Sequence, residues 1–240
     1  MKKLGVIGGL GPMASVYFLE RLTQMTDAKV DQEHIEVMIH SCPQIPDRTD
    51  FILGKSDKDP YPQLVSVGKG LAAAGAEVLA IPCITAHYFE EKLQGDIPIP
   101  IIDGLRETAD YLAARGITKA GLMATDGTVM SGLLEKRLKE RGISCILPDE
   151  DNQRAVMSII YHDVKSGLPI DYEKFRKITK SLYGQGAEVV ILGCTELSVV
   201  KRDFNMPDGI IDILDVLSRA AVLRCGKLKK EYEELITHAE

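Results

Sequence analysis

The sequence lacks any run of basic residues, and its 240 residues carry a formal net charge of −6 with a pI near 5.5. Nucleic acid is therefore not an expected partner, because phosphate backbones are held by clustered Lys and Arg. Isolated basic residues remain available for a small anion. No apolar stretch approaches the roughly 20 residues that cross a bilayer, so no membrane role is expected. The start, Met1-Lys-Lys-Leu-Gly-Val-Ile-Gly8, enters a short strand at once and has too few apolar residues for a secretory signal. Cysteine is sparse, with five in all, an odd number without close spacing. Secreted disulfide scaffolds do not look like this, and a cytoplasmic protein with reduced thiols is expected. There is no low-complexity linker either, so any lobes the chain forms are tightly joined.

What the sequence does contain is a repeat. Gly75-Ala-Glu-Val opens an apolar run that Cys83 closes, and Gly186-Ala-Glu-Val opens a second run closed at the same offset by Cys194. Downstream, Pro98-Ile-Pro-Ile-Ile-Asp103 and Pro207-Asp-Gly-Ile-Ile-Asp212 both end in Ile-Ile-Asp and lead into an amphipathic stretch. Around these copies the pattern alternates strand and helix, which indicates α/β architecture with parallel sheets. The predicted strands are 4–8, 35–39, 78–81, 98–102, 119–124, 144–147 and 189–192. Helices are predicted over 13–25, 61–74, 85–93, 105–115, about 128–141, 152–165 and 172–183, with a loop over 50–60. The expectation is two similar lobes, each a parallel β-sheet flanked by helices, related by pseudo-twofold symmetry with the site between them. Residues 1–103 form the first lobe and 104–212 the second, with a helix over 213–240 packing back on the first.

Two strand-end thiols facing a shared cleft allow three chemistries. Disulfide formation is disfavoured because redox pairs sit close in sequence, as in C-x-x-C, and these two lie far apart. Zinc is available through Cys83, His87 and Cys194, but needs a fourth ligand. Acid–base exchange on opposite faces of a substrate uses the symmetry, since one thiolate removes a proton while one thiol returns it. Each cysteine also precedes a Thr-containing turn that opens a helix, where helix N-termini favour the thiolate. Cys42, Cys145 and Cys225 read as small buried hydrophobes. Gly9-x-Gly11-x-x-Ala14 matches a dinucleotide fingerprint in form, yet the second strand runs into His40-Ser41-Cys42 instead of an acidic residue, so an anion-binding turn is preferred to a nicotinamide site, with a purely structural tight turn as the third reading. Arg48, in the proline-punctuated loop Pro43–Asp50, is either a carboxylate clamp or a surface partner of Asp47 or Asp50. Taken alone, Lys165 reads as a complement to a helix dipole, the threonines 85, 125, 128 and 195 as helix caps, and His87 as structural.

Taken together, Gly8-Gly-Leu-Gly-Pro-Met13, Ile45-Pro-Asp-Arg-Thr49, Cys83-Ile-Thr-Ala-His87, Ala124-Thr-Asp-Gly-Thr128, Val164-Lys-Ser-Gly167 and Gly193-Cys-Thr-Glu196 resemble the cofactor-independent aspartate/glutamate racemases, in particular the aspartate racemase branch. The resemblance spans the whole chain. It implies two similar α/β lobes, catalysis without pyridoxal phosphate or metal, an amino-acid substrate and a homodimer. By that likeness Cys83 and Cys194 are the two bases and Arg48 and Lys165 hold carboxylates. Met13, Gln44, Thr85, Thr125, Thr128 and Thr195 line the pocket. Position 84 departs from the pattern, with Ile where these racemases usually carry Asn. That removes a hydrogen-bonding amide worth about 1–3 kcal/mol at a buried site, enough to redirect substrate preference. Two rival readings follow: racemisation or isomerisation of another amino acid or dicarboxylate, and a small-carboxylate-binding protein without turnover. The presence of both cysteines argues against the single-cysteine relatives that isomerise maleate or decarboxylate malonates.

Overall fold

A computed structural model describes residues 1–238. Two parallel sheets organise the chain. In the first, β1 (Leu4–Gly8) lies between β2 (Val37–Ser41) and β3 (Val78–Ala80), with Leu4 opposite both Val37 and Val78. In the second, β4 (Lys119–Ala124) lies between β5 (Ser144–Ile146) and β6 (Val189–Gly193), and β7 (Ile210–Asp212) extends the β6 edge. Strands β1, β3 and β6 are buried along their whole length, which is why they read as unbroken apolar runs. In each sheet the central strand has its successors on opposite sides. That is the topological switch point, where ligands bind beyond the strand C-termini.

Three apolar clusters hold the layers. The outer faces of the two sheets each pack a cluster of their own, around Leu64, Leu79 and Ile81 in one and Phe175, Ile178 and Leu192 in the other. The third joins the sheets, bringing Leu4 and Val6 together with Leu122 and Ile191 through helices Pro12–Met25, Gly104–Ala113 and Ile213–Cys225. This shared core is the physical reason no flexible linker is needed.

Several elements differ from the sequence reading. The region expected to be loop contains helix Arg48–Ile52, whose N-cap Asp47 accepts from the Asp50 N–H at 3.0 Å. Residues 98–102 do not form a strand: only Ile101 bridges to Leu79, because Pro98 and Pro100 have no N–H to extend a ladder. The helix expected through Arg141 is broken at Gly132, which adopts φ +62 and separates Asp126–Ser131 from Leu133–Lys139. The C-terminal helix stops at Cys225 instead of continuing to 240. Gly226 leaves helical geometry (φ −153, ψ −145), and beyond it Leu228, Tyr232, Leu235 and Ile236 pack on the shared core from turns instead of a continued helix. The chain then runs on to Thr237, which pairs with the β7 edge through its N–H to Ile210 at 2.9 Å and its carbonyl from Gly209 at 2.8 Å. Residues 239 and 240 of that expectation lie outside the described residues. The helix packs against both Pro12–Met25 and Gly104–Ala113.

Candidate active site

Both repeat cysteines leave their strands in the same way. Cys83 (φ −151, ψ 107) caps a 3₁₀ turn over Ile84–Phe89, and Cys194 (φ −148, ψ 136) caps helix Thr195–Asp203. Both are buried, and both line one small inner cavity between the sheets, of about 20 Å³. That volume holds about one water. Leu10, Arg48, Thr85, Thr125, Tyr161, Lys165, Thr195 and Glu196 also border it. Asp47, Arg48, Lys165, Thr195 and Glu196 connect it to an outer cleft of about 520 Å³ that is lined on its far side by Met13, Val199 and Arg202.

The turn after β1 frames this mouth. Gly9 has φ +88, and a Cβ there would fall 2.4 Å from the Cys42 backbone nitrogen, so only glycine lets the two strand ends meet. On the opposite wall, a Cβ at Gly127 would lie 2.9 Å from the Thr49 Cα, which shows how tightly the two lobes approach beside the site.

Arg48 is 9% exposed and braced by main-chain carbonyls: Nη1 donates to Pro46 at 2.9 Å and Ile45 at 3.3 Å, and Nη2 to Leu10 at 3.3 Å. Its buried Nε has no hydrogen-bond partner among the described residues. Burial works against the charged form, but the neighbouring Cys83 sulfur and Asp47 outweigh it and hold Arg48 above its usual pKa. The alternative reading of Arg48 as a surface ion-pair residue is thereby set aside.

Lys165 follows a π-helical turn over Ser158–Val164 that continues helix Glu150–Met157. Wide turns of this kind recur at functional sites because they re-aim side chains. Here Lys165 Nζ lies 3.9 Å from the Tyr161 ring centroid and 3.8 Å from Asp47. Burial lowers its affinity for a proton, but Glu196, Tyr161, Cys194 and Asp47 together raise it, so the ammonium is retained.

Cys194 donates to Glu196 Oε2 at 2.9 Å. Burial pushes this thiol well up, and the Glu196 charge and hydrogen bond push it further. Among the described residues no such acceptor faces Cys83; the charge beside it is the Arg48 guanidinium. The two thiols are thus equivalent in backbone and unlike in surroundings. His87 is neutral because burial lowers its pKa. Its Nε2 accepts from the Gly104 N–H at 3.1 Å, so Nδ1 carries the proton and donates to the Cys83 carbonyl at 3.1 Å. The imidazole fixes the cysteine's backbone and is fully used, which removes it as a metal ligand. Among the described residues no group of three or more His, Cys, Asp or Glu side chains is placed to hold a metal ion.

Thr85, Thr125 and Thr128 form a closed ring of hydroxyls across the lobe boundary, at 3.0–3.1 Å from one another. Thr125 also accepts from the Thr128 N–H at 3.2 Å, so capping and site lining coexist in one residue. Thr85 and Thr125 reach the inner cavity, and Thr128 stands behind them. Met13 is 55% exposed in the outer cleft. Gln44 is exposed, with its amide oxygen 3.8 Å from Cys42 Sγ, and borders neither space. Sequence reasoning missed Tyr161, Thr49 and Arg202. Tyr161 sits four residues before Lys165, one turn away on the same face of the helix, and that i,i+4 spacing is the signal that could have found it.

A two-lobed α/β protein with a thiol from each lobe in one cavity is the class that fold and site define. A sequence profile of the Asp/Glu/Hydantoin racemase family matches residues 7–221, and the chain belongs to that family of isomerases. It is 27% identical over 228 residues to the broad specificity amino-acid racemase RacX of Bacillus subtilis, covering 91% of this chain and 96% of that one. The fold superposes on the aspartate racemase of Picrophilus torridus with a TM-score of 0.82 and 29% identity, over 97% of this chain and 98% of the other. An aspartate racemase homologue from Pyrococcus horikoshii matches with a TM-score of 0.75 and 25% identity, over 93% and 99%. No helix among the described residues is long and apolar enough to cross a membrane.

Proposed function

We propose that this chain racemises an acidic amino acid without a cofactor, using Cys83 and Cys194 as a thiolate–thiol pair. The observation that carries the reading is the shared inner cavity, to which the two lobes contribute one cysteine each with the same backbone geometry. Arg48 and Lys165 hold carboxylates. Neutralising the α-carboxylate makes the α-proton more acidic by stabilising charge that develops as it leaves. Thr85, Thr125 and Thr195 supply hydroxyl donors. One thiolate then removes the proton from one face and the opposite thiol returns one to the other, and burial and Glu196 hold Cys194 in the thiol form. The inner space admits only a water-sized group, so productive binding requires the side chains between it and the outer cleft to part, Arg48 and Lys165 among them. Met13 completes the binding surface in this reading, while Gln44 borders neither space and is given no contact. The same reading includes a cytoplasmic homodimer, to be checked by light scattering.

A second substrate reading has its own support. Ile84 is 4% exposed, borders the inner cavity and packs in the shared apolar core. An apolar wall there favours a less polar side chain than aspartate, and the similarity to a broad-specificity racemase points the same way. Incubation in D₂O with aspartate, glutamate and a panel of other amino acids, followed by proton NMR and polarimetry, decides between them. Exchange with loss of rotation for an acidic member supports the first reading. Exchange confined to other members moves the substrate, and no exchange with any member sinks the racemase reading.

A further inference from the structure

Glu196 is a buried carboxylate in a site that the proposed reaction fills with carboxylates. It would repel an acidic substrate, so its presence calls for a different task. Its Oε2 accepts from the Cys194 thiol at 2.9 Å and from the Thr195 hydroxyl at 3.3 Å. Its other oxygen faces the opposite lobe, where a Cβ added at Gly11 would lie 3.5 Å from Oε1. Glu196 borders both the inner cavity and the outer cleft, whereas Cys194 borders only the inner one. The side chain therefore spans the distance between a sealed sulfur and solvent.

A two-thiol racemase has a step that its substrate chemistry leaves undone. In the direction that starts with Cys83 as thiolate, each turnover ends with Cys83 as thiol and Cys194 as thiolate. The starting state returns only when Cys194 gains a proton and Cys83 loses one. We propose that Glu196 acts through Cys194, positioning its thiol and relaying its proton to and from the outer cleft between turnovers; this rests on the racemase reading above. The step balances with water alone: the Cys83 thiol gives its proton to water, and the hydronium so formed replaces the one consumed on the Cys194 side. The Glu196 carboxylate takes a proton from hydronium in the cleft, leaving water, and passes it to the Cys194 thiolate, which restores the carboxylate and the thiol. The reverse turnover runs the same relay backwards. Lys165 and Tyr161 face the pair from the π-helical turn, Asp47 and Arg48 from the loop after β2, and Arg202 from the outer end of Glu196's own helix.

The test is Glu196→Gln, which keeps shape and a hydrogen-bond acceptor but cannot carry a proton. Initial rates are measured from low to saturating substrate, with and without added formate, alongside Glu196→Asp. The relay acts after product leaves, so the saturated rate falls by about a hundredfold, the usual scale of a lost acid–base group, while kcat/KM falls less than about tenfold. Formate, small enough for the outer cleft, restores part of the saturated rate in Glu196→Gln and leaves the wild type unchanged, and Glu196→Asp lies between the two. Equal loss of kcat and kcat/KM with no effect of formate overturns the relay and leaves a structural contact. A wild type that exchanges no α-proton overturns the racemase reading, and the relay with it.

Discussion

Replacing Arg48 by lysine keeps a positive charge and removes the fork. The guanidinium is held by three carbonyls from two segments, Leu10 after β1 and Ile45 and Pro46 after β2, while its buried Nε is left without a hydrogen-bond partner among the described residues. A lysine ammonium is a single point of charge and cannot reach both segments while also presenting donors to the cavity. A guanidinium offers a carboxylate two charge-assisted bonds where an ammonium offers one, and each such bond contributes about 1.5–3 kcal/mol. Losing one corresponds to a fall in kcat/KM of roughly ten- to a hundredfold, since each 1.4 kcal/mol is a factor of ten. The assay is α-proton exchange at limiting substrate, paired with thermal unfolding to separate the lost brace from the lost ligand contact. If Arg48→Lys keeps kcat/KM within twofold while its unfolding temperature drops, Arg48 is only a brace and the carboxylate assignment is wrong.

Cys83→Ala or Cys194→Ala removes about a thousandfold or more of racemisation activity, measured by polarimetry, with little change in unfolding temperature because a small buried group replaces a small buried group. Equal wild-type rates in either variant refute the two-thiol mechanism. Ile84→Asn shifts preference toward aspartate by about tenfold and lowers stability by about 1–3 kcal/mol, because the amide enters an apolar cluster; unchanged substrate ratios in a competition assay contradict the role given to position 84. Asp212 is pushed up to about 7 by burial and by the Asp215 charge, while Asp215, held by Arg21 at 2.6 Å and Lys201 at 2.8 Å, stays low and charged. The proton on Asp212 stabilises the fold fully below pH ~4, and that contribution declines by about 1.4 kcal/mol per pH unit until about pH 7. Asp212→Asn removes that slope in urea unfolding measured between pH 5 and 8, and an unaltered slope refutes the protonated state.

The repeat made most of this architecture legible. Gly-Ala-Glu-Val and the closing cysteine mark β3 and β6, and both strands occur with the cysteines in matching backbone conformations. Downstream the likeness misled at 98–102, where two prolines withhold ladder donors, although its counterpart at Ile210–Asp212 pairs fully. The C-terminal stop was signalled by Gly226 and by the charged residues after it, but a run rich in good helix formers hides that boundary. In the site, residues carried by strand ends and first helical turns were readable because local motifs fix them. Lys165 came into view only through its resemblance motif, since a lysine at a helix C-terminus reads equally well as a complement to the helix dipole. Glu196 was visible next to Cys194, yet only the fold shows it reaching from the sulfur to the outer cleft.

Paired bases leave a mark that a single base does not. Wild-type protein is given one enantiomer of its substrate in D₂O, and deuterium at Cα is measured by mass spectrometry in both enantiomers at low conversion, after chiral separation. Two thiols on opposite faces predict one deuterium in nearly every newly formed product molecule, with the remaining substrate still protiated. Deuterium entering the remaining substrate as fast as the product, or product that keeps its original proton, would mean that one group serves both faces and that the paired thiols do not work as described.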